Sequence, residues 1–307
     1  MFNLVLVHTP DWQDIGDFQT IADLVRRDAP DIEPTIVSNL ESLGTVRKRL
    51  RQRPTLVFSP IRLLNFKPDR GRIYCGRPMS KLDEATRLAA SGIPVPYFKE
   101  ITPDAAFTPE EFGPLTIIKP SYELAAWGQG IELVPTAEVR FRRPDEFPEN
   151  HPGRQGPMIA QRFVDCDYPM SCRVLTLFGE TIFTYCRTST KPFRPDETPR
   201  PYQQTDFMPA PPYSEASMPR DADLLELAAL AYRAMPDVPL QACDILRDKH
   251  GQLFLVEINP GGGTWMFSSR FAEGYRNRLG LENLAAPFNA FEVCARLLIE
   301  RTRAEAE

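Results

Sequence analysis

Much that usually announces a function is missing from this chain. Its 307 residues include only three His (His8, His151 and His250), too scattered to suggest a zinc site. None of its six Cys (75, 166, 172, 186, 243 and 294) forms a C-x-x-C pair, so no zinc ribbon or thioredoxin-like centre is indicated. The sequence has no G-x-x-x-x-G-K-[ST], no H-E-x-x-H and no G-x-S-x-G, which removes the P-loop, zincin and serine-hydrolase readings. Gly128-Gln129-Gly130 fails as a dinucleotide fingerprint because Leu133 stands where the third Gly is needed. No uncharged apolar run approaches the ~20 residues of a membrane span. Positive charge is not in excess: 36 Lys and Arg face 41 Asp and Glu, a net charge of −5. The field of the whole chain therefore attracts neither nucleic acid nor an anionic membrane, and neither partner is expected.

What is present describes a soluble globular protein of two compact domains, or one domain with an added lobe: 42% of residues are hydrophobic and 25% charged. The thiols, several in apolar runs, are expected to be reduced and mostly buried, as in a cytoplasmic protein. Phe2–Val7 reads as a first strand and not a signal peptide, with Asp11 close behind it. Ile15, Phe18, Ile21, Ala22 and Val25 then fall at helical spacing. Short strands at Thr35–Val37 and Thr55–Phe58 flank a basic helical stretch, Ser42 to Arg53, whose Arg and Lys lack the interleaved aromatics of a nucleic-acid surface. This alternation predicts a small parallel sheet with helices on its faces.

Ser80 is a helix N-cap, with Asp83 and Glu84 in the first turn and Ser91-Gly92 as the stop before Pro94. Strands are predicted at 95–98, 115–119, 131–134, 158–164, 173–178 and 181–187, the last two joined by Gly179-Glu180. The chain holds 31 Pro, eight of them between Pro192 and Pro219. Residues 189–220 therefore read as a long loop carrying Lys191, Arg194, Arg200 and Arg220, a lid or a passive insertion. A helix over Asp221–Met235, a hairpin over 240–258 and a helix over 288–303 complete the chain.

The strongest chemical signal is Cys243-Asp244-Ile245 … Val256-Glu257-Ile258-Asn259-Pro260, with a turn near His250-Gly251. A two-residue turn there sets Asp244 directly opposite Glu257, and a four-residue turn makes them diagonal neighbours. Asn259, two residues on, shares that face. Two carboxylates this close need a cation or a shared proton, and oxygen ligands with open positions suit Mg2+. The Gly261–Gly263 run that follows suits close approach of a ligand. A second signal is Ile117-Ile118-Lys119-Pro120, a Lys delivered to a strand end ahead of Trp127-Gly128-Gln129-Gly130. Lys81, at a helix N-terminus where a cation disfavours the dipole, is a third.

In this order the segments resemble the ATP-grasp superfamily, in its glutathione-synthetase-like, D-alanine–D-alanine-ligase-like and ribosomal-protein glutamate ligase-like branch. The resemblance runs from about residue 79 to 270. It implies an α/β (α+β) ATP-grasp fold: residues 1–78 a Rossmann-like α/β domain, 79–160 one subdomain with the glycine-rich flap, 161–307 the other with the metal site. It assigns ATP to Lys81, Lys119, Trp127, Gly128, Gly130, the hinge Gln161-Arg162-Phe163-Val164 and Asp167, with Asp165 competing for the ribose. It gives one or two Mg2+, or Mn2+ in its place, to Asp244, Glu257 and Asn259, and the phosphoryl group to Arg173 and Arg187. A strict Gly179-Glu180 turn opposes Arg187 to Cys172 and puts the two arginines on opposite faces, so both reach phosphate only if a bulge restores the parity. Arg270 is a candidate anchor for a substrate carboxylate or an ordinary helix-start charge, and Trp265 and Phe267 are candidates to line the substrate pocket, with a core role as the alternative for Trp265.

The implied activity is ATP-dependent carboxylate–amine ligation through an acyl phosphate, on a small carboxylate and an amine, in a cytoplasmic enzyme that could be a homodimer. A phosphotransferase on the same fold and a nucleotide-binding regulator with little turnover are the alternatives.

Overall fold

The computed structural model describes residues 1–41, 44–122, 128–260 and 264–307. Trp127 and the Gly261–Gly263 run lie outside the described residues.

The first unit is the parallel sheet that the alternating pattern predicts. Its strands β1 (Phe2–His8), β2 (Ile32–Ser38), β3 (Thr55–Phe58) and β4 (Arg72–Tyr74) run in the order β2-β1-β3-β4, every pairing parallel. Helix α1 (Ile15–Asp28) starts where the Asp14 carboxylate accepts the Gly16 N–H at 2.8 Å. It buries Phe18, Ile21, Ala22 and Val25, the residues its spacing singles out. Helix α2 (Gly44–Leu50) is shorter than the stretch read from Ser42 to Arg53; residues 42 and 43 lie outside the described set.

Helix α3 (Lys81–Ala90) begins at Ser80, whose hydroxyl accepts the Asp83 N–H at 3.1 Å. It leads to a second, antiparallel sheet: β5 (Phe98–Glu100), β6 (Leu115–Pro120), β7 (Glu132–Pro135) and β8 (Met158–Arg162), in the order β5-β8-β6-β7. One helical turn, α4 (Pro109–Phe112), caps it. The strand predicted at 95–98 starts only at Phe98, because Pro94 and Pro96 have no N–H to give a ladder.

The third sheet is the largest. Strands β9 (Met170–Leu177), β10 (Glu180–Ser189), β11 (Ser214–Ser217), β12 (Leu240–Arg247) and β13 (Leu253–Asn259) are arranged β11-β10-β9-β12-β13. Helices α5 (Gln204–Phe207), α6 (Ala222–Ala234), α7 (Ala272–Leu279) and α8 (Ala290–Glu305) belong to this part of the chain. One face of the sheet, with Leu175, Leu177, Phe183, Leu240 and Ala242, joins α1, α8 and the parallel sheet in a single core. The other face, with Val174, Cys243, Ile245 and Leu255, packs on α6 and on Leu88 of α3.

Three expectations are corrected. The β9–β10 turn is Phe178-Gly179, both at positive φ (50° and 85°), one residue earlier than predicted. The Pro-rich segment is not a bare loop: it contains α5, and β11 extends the sheet by pairing with β10. Within the segment, Phe193, Tyr202, Phe207 and Met208 pack against Leu115 and Leu133 of the second sheet, so apolar residues among the prolines hold it down. The six thiols are not all reduced, since Cys172 and Cys186, directly opposite each other on β9 and β10, form a disulfide. Among the described residues, no helix is long and apolar enough to cross a membrane.

Candidate active site

Side-chain parity on the third sheet decides which residues meet. The two-residue turn alone would set Arg187 opposite Met170 and turn it away from Arg173. A bulge between Thr181 and Phe183 adds one residue, so Tyr185 opposes Arg173 and Arg187 opposes Ser171. Both arginines therefore project from one face. A second bulge acts the same way in the next hairpin. There Arg247 pairs with Leu253 across a five-residue connection, an odd length that would separate the carboxylates, and the irregularity between Asp244 and Ile245 restores Asp244 opposite Glu257. Asn259 lies opposite Ala242 on the same face.

These side chains make one network. Arg173 grips Asp244 through two parallel bonds, Nε to Oδ1 at 2.7 Å and Nη2 to Oδ2 at 2.6 Å. The Asn259 amide donates to Asp244 Oδ2 at 3.0 Å and to Glu257 Oε1 at 3.4 Å. Lys81, at the first turn of α3, donates to Glu257 Oε2. Lys119 reaches the cluster from the end of β6 and is 3% exposed. The two lysines are tied together, because the Leu82 N–H donates to Ser121 Oγ at 2.9 Å just beyond Lys119.

The electrostatics follow from crowding six charged or titratable groups, Glu84 included, into a half-buried cluster. Burial raises the Asp244 carboxyl against the pull of Arg173. Burial would also raise Glu257, but the neighbouring Lys81 and Lys119 hold it well below the usual carboxylate range. Lys119 is pushed down to about 8 by burial, Glu257 opposing and Lys81 adding to the shift. A further acid, Glu84, is buried behind the cluster and pushed up to about 8, first by burial and then by Glu257. No group of three or more His, Cys, Asp or Glu side chains that could hold a metal occurs among the described residues. The candidate set is instead two carboxylates and an amide, hard oxygen donors whose present counter-charges are Arg173 and Lys81. That donor chemistry fits Mg2+.

The network forms one wall of a cavity of about 630 Å³. At one end lies the chain leaving β8. Gln161 is 3% exposed and its Nε2 has no hydrogen-bond partner, a buried donor facing the cavity. The Arg162 N–H is spent on Tyr97 O at 2.7 Å, and Phe163 and Val164 line the space. Asp165 is engaged by Lys249 Nζ at 2.9 Å and by the Asp167 N–H at 3.0 Å, while Asp167, at φ 62°, pairs with Arg194 of the Pro-rich segment. Gly128 and Gly130 both have φ near +70°, and a Cβ on Gly130 would come within 3.2 Å of His151. Phe193, Phe207 and Met208 close this end.

Trp12 and the α7 residue Tyr275 also line the cavity. Arg187 lines the cavity and, among the described residues, has no ion pair or side-chain hydrogen bond, in contrast to Arg173. Arg270 is exposed at the rim, stacked on Trp12 at 4.4 Å and on Phe271 at 5.0 Å. Trp265 and Phe267 are core residues, Trp265 fully buried with its Nε1–H donated to Asp17 at 2.7 Å. Glu84, Trp12 and Tyr275 escaped the sequence reading. Only Glu84 left a trace there, four residues before the buried Leu88 on the packed side of α3.

No family model matches the chain, and no curated protein matches it in sequence. Solved structures do match over nearly their whole length. D-cycloserine synthetase DcsG is 16% identical, covers 98% of this chain and 99% of its own, and has a TM-score of 0.56. ATP-grasp ligase PsnB, complexed with minimal precursor, Mg and ADP, is 16% identical over 98% of each chain, with a TM-score of 0.53. Macrocyclase MdnC, bound with precursor peptide MdnA from Microcystis aeruginosa MRC, is 13% identical over 98% of this chain and 100% of its own, with a TM-score of 0.52. At such identities the likeness is one of architecture, and it extends through all three sheets: this chain has the ATP-grasp fold.

Proposed function

We propose that this chain is an ATP- and Mg2+-dependent carboxylate–amine ligase, forming an amide or peptide bond through an acyl phosphate on a small amino-acid-like or peptide substrate. The observation that carries this reading is the meeting of Lys81, Lys119 and Arg173 with Asp244, Glu257 and Asn259 along one wall of a single cavity. Mg2+ held by Asp244, Glu257 and Asn259, or Mn2+ in its place, would neutralise charge building on the transferred phosphoryl group.

The chain's own groups divide the remaining work. Gln161 offers its unpartnered Nε2 to an adenine, beside the backbone of Arg162, Phe163 and Val164. Asp167 serves the ribose, and Gly128 and Gly130 cover the phosphates. Lys81 and Lys119 hold phosphate oxygens, and a polyphosphate would return the buried Lys119 to a firmly charged state. Arg187, free of any carboxylate, receives the substrate carboxylate and later the acyl phosphate. Arg270 draws a carboxylate to the rim. A substrate carboxylate oxygen attacks the γ-phosphorus and ADP departs. An amine nitrogen then attacks the acyl carbon, the C–O bond to phosphate breaks, and the ammonium proton passes to water. Positioning and charge neutralisation are the protein's contribution.

The direct test is thermal stability with a non-hydrolysable ATP analogue and Mg2+, in wild type and in Glu257→Gln. Wild type should gain several degrees only when both are present, and the variant should lose that gain. Amino-acid and peptide carboxylates are then screened for amine-dependent ADP release, peptides being favoured by the precursor-bound ligases of this fold. A product heavier by phosphate and not by amine would make the chain a phosphotransferase. Wild type that ignores saturating nucleotide would sink the ligase reading.

A further inference from the structure

Glu84 stands outside every role assigned so far. It is 5% exposed, a costly position for a carboxylate. Its Oε1 accepts the Ile258 N–H at 2.7 Å. Among the described residues strand β13 is an edge of the third sheet, paired only with β12, so its outward N–H groups find no strand partner there and, once buried, need another acceptor. Two are supplied from one neighbouring stretch: Glu84 takes Ile258, and Pro94 O takes the Leu255 N–H at 2.8 Å.

The position of Ile258 gives this bond its significance. It separates Glu257 from Asn259, so the backbone that Glu84 holds is the backbone from which two of the three proposed metal ligands project. Glu84 and Lys81 lie three residues apart on α3, one bound to the main chain of β13 and the other to the Glu257 side chain. The same helix turn is fastened to the end of β6 through Leu82 and Ser121. Three parts of the site, the metal strand and the two lysines, are thus held in one frame.

We infer that Glu84 is a positioning residue, fixing β13 against α3 so that Glu257 and Asn259 present their oxygens at a set distance from Lys81 and Lys119. This rests on the metal-site reading above and adds to it a residue that touches neither metal nor nucleotide. What matters is the acceptor oxygen at its present reach. Glutamine supplies it without charge, leucine does not supply it, and aspartate keeps the charge but falls one methylene short.

The test measures the Mg2+ concentration at half-maximal binding of a non-hydrolysable ATP analogue, by calorimetry, in wild type and in Glu84→Gln, Glu84→Leu and Glu84→Asp. Nucleotide affinity in EDTA and the melting temperature without ligand are recorded beside it. Glu84→Gln should stay within about threefold of wild type, while Glu84→Leu and Glu84→Asp should need at least about tenfold more Mg2+, the usual scale for losing an outer-shell partner. Affinity in EDTA should change far less. A lower melting temperature with unchanged Mg2+ dependence would mean a structural role only and would overturn the inference. So would a Glu84→Gln variant as impaired as Glu84→Leu, since charge would then be the cause. Should Glu84→Leu not fold, Glu84→Asp alone decides, and a wild-type midpoint there refutes the inference. Wild type without Mg2+-dependent binding removes the metal site itself, and the inference with it.

Discussion

Arg173 and Arg187 project from one face of one hairpin, yet their circumstances differ. Arg173 is bound through two guanidinium nitrogens by Asp244, and Arg187 by no carboxylate among the described residues. Removing Arg187 should leave stability almost unchanged while kcat/KM falls by about two orders of magnitude, the scale for losing one preorganised charge donor. Removing Arg173 leaves Asp244 without its counter-charge, so Arg173→Ala should lose about 2–3 kcal/mol without ligand and recover part of it in Mg2+. Melting curves with and without Mg2+, beside steady-state kinetics, separate the two cases. Equal loss of stability in both variants would contradict the division of roles. At this scale the sequence was informative where chemistry and local structure conflicted. Lys81 stood out because a cation at a helix start is unfavourable. Glu84 stayed silent because an acid in a first helical turn is where the dipole wants one. Only tertiary packing shows that it faces inward.

Among elements, the two bulges do the most to build the site. The carboxylate pair was readable from alternation, since any even register joins Asp244 and Glu257. The actual connection is odd, and the bulge before Glu257 compensates. Neither bulge carries a Gly or Pro marker. Ile182 and Val256 look like ordinary strand residues, so nothing local in the sequence marks the irregularity. The Pro-rich segment was legible as an insertion, but its attachment was not. Gln204 Nε2 donates to Gly128 O at 2.7 Å, and Arg200 pairs with Glu138 at 2.7 Å, so the segment clasps the glycine-rich loop and the second sheet from outside. Breaking the first clasp with Gln204→Ala should leave the ligand-free melting temperature in place, because the bond is exposed. Protease nicking within 189–213 should rise, and nucleotide affinity should fall by about threefold, the worth of one neutral hydrogen bond. Nicking at the wild-type rate, with or without nucleotide, would show that the clasp restrains nothing.

Across the whole molecule, the parallel sheet and the segment after the last strand pair are joined through a half-buried acid. Asp17 on α1 accepts from Trp265 Nε1 and from Ser268 Oγ, beyond β13. Burial raises its carboxyl above the ordinary 3.8, the Ser268 and Trp265 bonds opposing. The folded state thus binds this proton more tightly than the unfolded chain. Its contribution to stability is full below 3.8 and is lost as pH rises through the folded value. Asp17→Asn keeps an oxygen acceptor without the charge, so its melting temperature relative to wild type should climb as pH rises above the ordinary 3.8. Parallel curves would dismiss the idea.

The same sheet face that gathers Arg173 and Asp244 continues, two residues along each strand, into Leu175 and Ala242 of the common core. Dry interior and reactive surface are consecutive rungs of one ladder. In a mutational scan scored by turnover alone, substitutions at Leu175, Ala242 or Leu240 would pass for losses of catalytic groups. So would those on the opposite face, at Val174 or Cys243, which pack the second core. Abundance scored beside turnover would separate them, because loss of packing lowers abundance on either face.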